Sequence, residues 1–362
     1  MSDDENDPPR YGTKVEHCCD DFVLLKKPSA LTQRRRKRPN LQTDPLVHHG
    51  RHFGRTVFAF ANIHALLVAG INADEDKPPQ TQQERRELRV FKKLIAMIPG
   101  FEERIFSLES EEELMGIANL LQQGASGGRS DDTKGLKGPI LDWIVPPTGE
   151  PLQPPLSRNI KVNRGFNHNR TGFLLCPAEL DWSNPDVQAA LRNKELSVTG
   201  AHWPKFVYKD EQYNPTLPWK GLFRSELLVK VFRGFKHIFT SPSSVDDEPR
   251  ATRSGNARIH GMNQVTRPSL AYVATQVRFA LTSSATFSRT DLETDSETFF
   301  TSVLECLEDP REQDEVKPLL AWWNQRIFPS FSTTRRLAPD NSVLAMIRLR
   351  REGLIEAQAN VV

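Results

Sequence analysis

The stretch 268–281, PSLAYVATQVRFAL, decides the fold class. Leu270, Val273, Ala274, Val277 and Leu281 recur at steps of three and four, which places them on one face of a helix. Pro268 suits the first turn, because its fixed φ is already helical and its missing N–H would have had no partner there. The same spacing spreads in both directions. C-terminal to it, Phe299, Phe300, Val303, Leu304 and Leu307 define one helix, and Val316, Leu319, Leu320, Trp323 and Ile327 the next. N-terminal to it, Leu222, Leu228, Val231, Phe232, Phe235 and Phe239 share a face. Nearer the start, Val57, Phe60, Ala61, His64, Leu67, Val68 and Ile71 read as one helical stripe. A second helix is expected over 84–98, ending at Pro99 and Gly100. Ser110 to Glu113 has the form of a capping box, followed by Leu114, Ile117, Ala118 and Leu121. No segment alternates as a strand would, so the expected fold is all-α: a multi-helix bundle in two packed parts.

Composition divides the chain. Residues 1–45 are polar, charged and broken by prolines, too poor in apolar surface to offset the entropy of ordering, and read as a disordered arm. A helical domain is expected over 53–145, its bundle ending in the polar, glycine-bearing stretch 124–138. PPTGEPLQPP, within 146–157, favours an extended proline-rich linker. A second helical domain covers 158–330. Its first part, 158–219, holds Trp182, Trp203 and Trp219 among prolines and is expected to be irregular but packed, with a short helix over 186–196. Residues 331–362 form a tail in which 343–354 is amphipathic, a helix by one reading and plain tail by the other.

With 38% hydrophobic residues in 362, the chain can fill a core, and 48 Lys and Arg against 46 Asp and Glu leave no whole-molecule field for a polyanion. Any such partner needs a local patch. Cys18, Cys19, Cys176 and Cys306 are too few and scattered for a disulfide framework, which implies a reducing, intracellular setting. The opening MSDDENDPPR has no apolar region of a signal peptide, and no run of apolar residues is long enough to cross a membrane.

The chemistry-bearing candidates are few. The loop 251–266, ATRSGNARIHGMNQVT, carries Arg253, Arg258 and His260 on a glycine-bearing turn, with Arg267 following at a helix start, where unpaired amides attract anions; the preferred alternative is an interhelical connection whose arginines pair with neighbouring acids. No Lys-Ser or Lys-Thr follows Gly261, so the nucleotide-cradling P-loop pattern is absent. Asp291, Glu293, Asp295 and Glu297 are hard oxygen donors, but acids just before a helix also serve its positive N-terminal end, the reading preferred here. Structural zinc has little basis: His17, Cys18 and Cys19 lack a second donor pair at finger spacing, and His168 stands apart. No metal or cofactor is therefore expected, and Cys176, Cys306 and His64 read as core residues. Arg34, Arg35, Arg36, Lys37 and Arg38 form a cation run that suits nuclear targeting or a nucleic-acid backbone, against the plain alternative of a solvated charge run.

KVNRGFNHNRTGFLLCPAELDW (161–182), HIFTSPSSV (237–245), ATRSGNARIHGM (251–262), AYVATQVRFALTSS (271–284) and FSRTDLETDSETFF (287–300) resemble a lineage-expanded family of basidiomycete proteins known as a domain of unknown function, over about 53–328. That resemblance implies a fungal intracellular protein and carries no catalytic or ligand residues. The expectation for function is a non-catalytic helical interaction module, possible partners being a protein or a nucleic acid and the nucleus a candidate location. The alternative is an enzyme acting on a phosphate ester through the 251–267 arginines and the acids of 291–297.

Overall fold

The computed structural model describes residues 44–73, 79–146, 148–234, 262–290 and 295–329, together with Val343, Met346, Ile347, Leu349, Arg350 and Arg351. From residue 44 onward these form one compact unit. Among them there is no strand, only isolated bridges between Pro177 and Pro204 and between Tyr208 and Leu222, and no helix is long and apolar enough to cross a membrane.

The first described helix starts at Pro45, ahead of the expected beginning near Phe53. The Asp44 carboxylate accepts from the Leu46 amide and Pro45 fills the first turn of α1 (Pro45–Thr56). The stripe from Val57 to Ile71 is not one helix: residues 57–62 turn the chain, and Asn62 caps α2 (Ile63–Ile71) by accepting from the Ala65 amide. The side chain of a capping Asn competes for backbone amides and starts a new helix more readily than it continues an old one. α3 (Gln82–Met97) begins with a complete capping box, Thr81 and Glu84, and α4 (Phe101–Phe106) follows Gly100, whose φ of 68° suits glycine.

The largest departure from expectation is α5 (Glu111–Leu136), capped at Ser110, which continues through the polar stretch taken for the end of the bundle. α1 approaches it at Gly124, Gly127 and Gly128. A Cβ on Gly124 would stand 2.1 Å from the Val47 carbonyl oxygen, and one on Gly50 would stand 2.1 Å from that of Leu121. Two helices running in the same direction thus meet backbone to backbone, an approach only glycine permits. Arg55 and Tyr272 then converge on Asp132: the guanidinium donates twice, at 2.8 Å each, and the phenol once, with all three side chains buried. Burial alone pushes the Asp132 carboxyl upward, but three donors on its two oxygens hold the carboxylate form, and the same pairing raises the guanidinium.

α1 to α4 and the first half of α5 close a smaller core around Phe53, Leu67, Leu94 and Leu121. The end of α5, α6 (Ile140–Trp143), α7 (Asn169–Leu175), α9 (Glu226–Gly234), α10 (Arg267–Leu281), α11 (Ser296–Glu308) and α12 (Gln313–Ile327) surround a larger one. α8 (Pro185–Arg192) packs Leu191 on Trp182 and Cys176. Leu152 and Leu156 of the proline-rich stretch pack against the larger core. The stripe expected on α10 is only part of what it buries: every residue from Pro268 to Leu281 is buried, including Ser269, Thr275, Gln276 and Arg278, so it is the central helix. The irregular stretch is packed as expected, and its indoles find partners: Trp203 donates to Ser302 at 3.0 Å and Trp219 to Glu312 at 2.6 Å.

Candidate anion-binding pocket

On the solvent side of α5, Ser126, Arg129, Ser130, Thr133, Lys134 and Lys137 fall at intervals of three and four and form one polar stripe. Opposite them lie the C-terminal end of α10, with Phe279 and Ala280, and the returning segment through Phe287 and Arg289; between the walls is a cavity of about 540 Å³ that Lys161 also lines.

The chain segment 157–170 builds this corner. Arg164, wholly buried, donates to the carbonyls of Ala280 (2.9 Å), Lys137 (2.7 Å) and Ser157 (3.1 Å), so one guanidinium ties the last turns of α5 and α10 together. Lys161, one turn earlier in sequence, donates to the carbonyls of Phe279 (2.5 Å) and Ser284 (2.7 Å). Cations at helix C-termini meet the orphan carbonyls and the negative end of the dipole. Burial, with the charges of Arg164 and Lys137 adding to it, pushes the Lys161 amine down to about 7. His168 continues the pattern: its Nδ1 accepts from the Arg170 amide at the start of α7, which leaves Nε2–H to donate to the Pro154 carbonyl at 2.9 Å. Arg170 holds Glu211 with a two-pronged contact and the Ile144 carbonyl at 2.7 Å.

The pocket's cations are not equivalent. Arg289 is neutralised by Glu297, which accepts from it at 3.1 and 2.9 Å, and it also donates to the Phe60 carbonyl. Half-buried Arg129 donates to the Ala59 carbonyl at 2.7 Å and lies over the Phe60 and Phe287 rings; burial and the nearby Arg289 lower its pKa. Among the described residues Lys134 and Lys137 have no ion-pair partner and no carboxylate lines the cavity. An anion entering it meets two unneutralised ammonium groups and a desolvated guanidinium. Among the described residues the lining has no imidazole, thiol or carboxylate, the Lys161 amine is spent on the Phe279 and Ser284 carbonyls, and no three His, Cys, Asp or Glu side chains gather as a metal would require.

None of the described residues singled out from sequence lines this cavity. Arg253, Arg258 and His260, the cation run 34–38, His17, Cys18, Cys19, Asp291 and Glu293 fall outside the described residues. Arg267 opens α10 and donates to Gln313 at 2.6 Å. Asp295, at the N-terminal end of α11, accepts from the Gly200 amide at 2.8 Å, and Glu297 is spent on Arg289. Burial raises the Cys176 thiol to about 11 and the Cys306 thiol to about 12, which keeps both as inert thiols, though Cys306 is only partly buried. His64 is likewise half-buried, with no hydrogen-bond partner for Nε2 among the described residues, rather than a satisfied core histidine.

Over residues 123–328 the sequence matches the Family of unknown function (DUF6698), more than half of the chain. The chain belongs to that family. The DUF6698 match begins just before the polar stripe of α5 and takes in every lining residue of the pocket, whereas α1 to α4 precede it, α2 to α4 within the reach of the resemblance back to Phe53. Neither the curated proteins nor the solved structures compared with the chain returned a match.

Proposed function

We propose that this protein is a non-catalytic helical interaction module that holds the phosphate backbone of a nucleic acid at the α5 pocket. The observation that carries the reading is the pair of ammonium groups, Lys134 and Lys137, one turn apart beside Arg129 in a cavity with no lining carboxylate among the described residues. Phosphate contacts of this kind position a polyanion without reading its sequence. In the same proposal Arg34, Arg35, Arg36, Lys37 and Arg38 direct nuclear import, and a fluorescent fusion that keeps its distribution when all five are alanine refutes that part. The phosphate-ester enzyme has less support, since Asp295, Glu297 and Arg267 are each engaged with protein groups.

The test is fluorescence anisotropy of the full chain with labelled single-stranded and duplex oligonucleotides across a salt series, beside the double variant Lys134→Ala/Lys137→Ala. Two lost phosphate contacts reduce the slope of log K against log salt by about 1.4 for a single strand and about 1.8 for a duplex, which at 0.15 M salt weakens binding roughly 15- to 30-fold. Unchanged affinity and slope refute the pocket as the binding site.

A further inference from the structure

A second concavity lies on the opposite chemistry. α2, α3 and α4 enclose an open groove of about 1120 Å³ on the outside of the smaller core. Its floor is Leu88, Phe91, Ile95 and Phe101, and Phe106 stands at one end with 57% of its surface exposed. Among the described residues its rim carries Glu84, Glu87, Glu102 and Glu103 against a single Lys92. The volume exceeds the roughly 300–1,000 Å³ of small-molecule clefts, and an open apolar trough with a charged rim is the form that receives the apolar face of a helix.

The chain carries a segment of the complementary kind. Val343, Met346, Ile347 and Leu349 are helical and 74%, 64%, 56% and 64% exposed, and they precede Arg350 and Arg351. Val343, Met346 and Ile347 stand at i, i+3 and i+4, so they share one stripe, which no other described element covers. An apolar stripe followed by arginines matches an apolar floor edged by glutamates.

We propose that the C-terminal segment that carries Val343, Met346, Ile347, Arg350 and Arg351 docks in the α2–α3–α4 groove of its own chain, the stripe on the floor and Arg350 and Arg351 against the glutamate rim. The tether favours the same chain over a second copy: from Pro329 to Val343 the backbone spans at most about 50 Å, comparable to the diameter of a body this size, and a tethered segment has an effective concentration on the order of millimolar. This site is independent of the α5 pocket.

The experiment is hydrogen–deuterium exchange on the full chain and on Met346→Glu/Ile347→Glu, with mass by light scattering over a concentration series. Both substituted positions are exposed, so the fold itself is not at risk. Docking predicts that amides of α3 and α4 exchange about tenfold faster or more in the variant, because two apolar anchors are lost, while both proteins stay monomeric. Unchanged exchange in α3 and α4 overturns the proposal, and so does a wild-type dimer that the variant dissociates, since the occupant is then a second copy. As a second readout, Glu102→Lys/Glu103→Lys loses the protection and adding Arg350→Glu/Arg351→Glu restores it; failure to restore overturns the charge pairing.

Discussion

Gly124 and Gly135 sit in the same helix, yet replacing each by alanine should move stability in opposite directions. A Cβ at Gly135 meets nothing within 4 Å, so Gly135→Ala restricts the unfolded chain and favours the helix, a gain of about 0.5–1 kcal/mol. At Gly124 the same gain is overwhelmed. The new carbon would lie 2.1 Å from the Val47 carbonyl oxygen and 2.9 Å from the Arg51 nitrogen, both backbone atoms that no rotamer change can move. The helices must part by roughly 1 Å, which costs about 1–3 kcal/mol in packing and loosens the buried Arg55–Asp132 contact beyond it, worth about 3–5 kcal/mol if broken outright. The net expectation is a loss of about 2–4 kcal/mol. Urea unfolding followed by tryptophan fluorescence measures it, and a thermal melt should fall by about 5–15 °C for Gly124→Ala and rise by a few degrees for Gly135→Ala. If the two variants shift together, or Gly124→Ala is the more stable, the backbone contact between α1 and α5 is not what these glycines serve.

Asp132→Ala strands the Arg55 guanidinium in the interior and should cost about 3–5 kcal/mol, whereas Tyr272→Phe removes one of three donors and should cost about 1–2 kcal/mol; equal losses in urea unfolding contradict the assigned roles. Lys161 gives a pH dependence. With its amine at about 7 in the folded protein against an ordinary 10.5, the unfolded chain binds the extra proton between those values, so its contribution to stability rises as pH rises through that window, by at most about 1.4 kcal/mol per unit. Below about 7 both states are protonated and the contribution is flat. Lys161→Met should flatten the curve above pH 7, and a curve parallel to that of the unsubstituted protein refutes the shift.

The all-α class was legible because period-three-and-four spacing survives in nearly every core helix, α10 to α12 most plainly. Caps at Ser110 and the proline start of α10 were equally legible, since they are local chemistry. The pocket was not. Its stripe at 126, 129, 130, 133, 134 and 137 has helical spacing and could have been found, but the glycines at 124, 127, 128 and 135 weigh against a helix when only the local chain is considered. Gly124, Gly127 and Gly128 are tolerated because α1 lies against them, a contact between residues about 77 apart in sequence.

Sequence by itself determined what each segment could become, because helix spacing, caps and breakers act over a few residues. Only the tertiary structure decided which polar groups are spent and which are free. Arg164, Lys161, Arg170 and Glu297 look like surface charge in the sequence and are consumed by distant carbonyls and counter-ions, while Lys134 and Lys137 keep theirs. A charge acts through its neighbours in space, and those neighbours come from helices far apart along the chain.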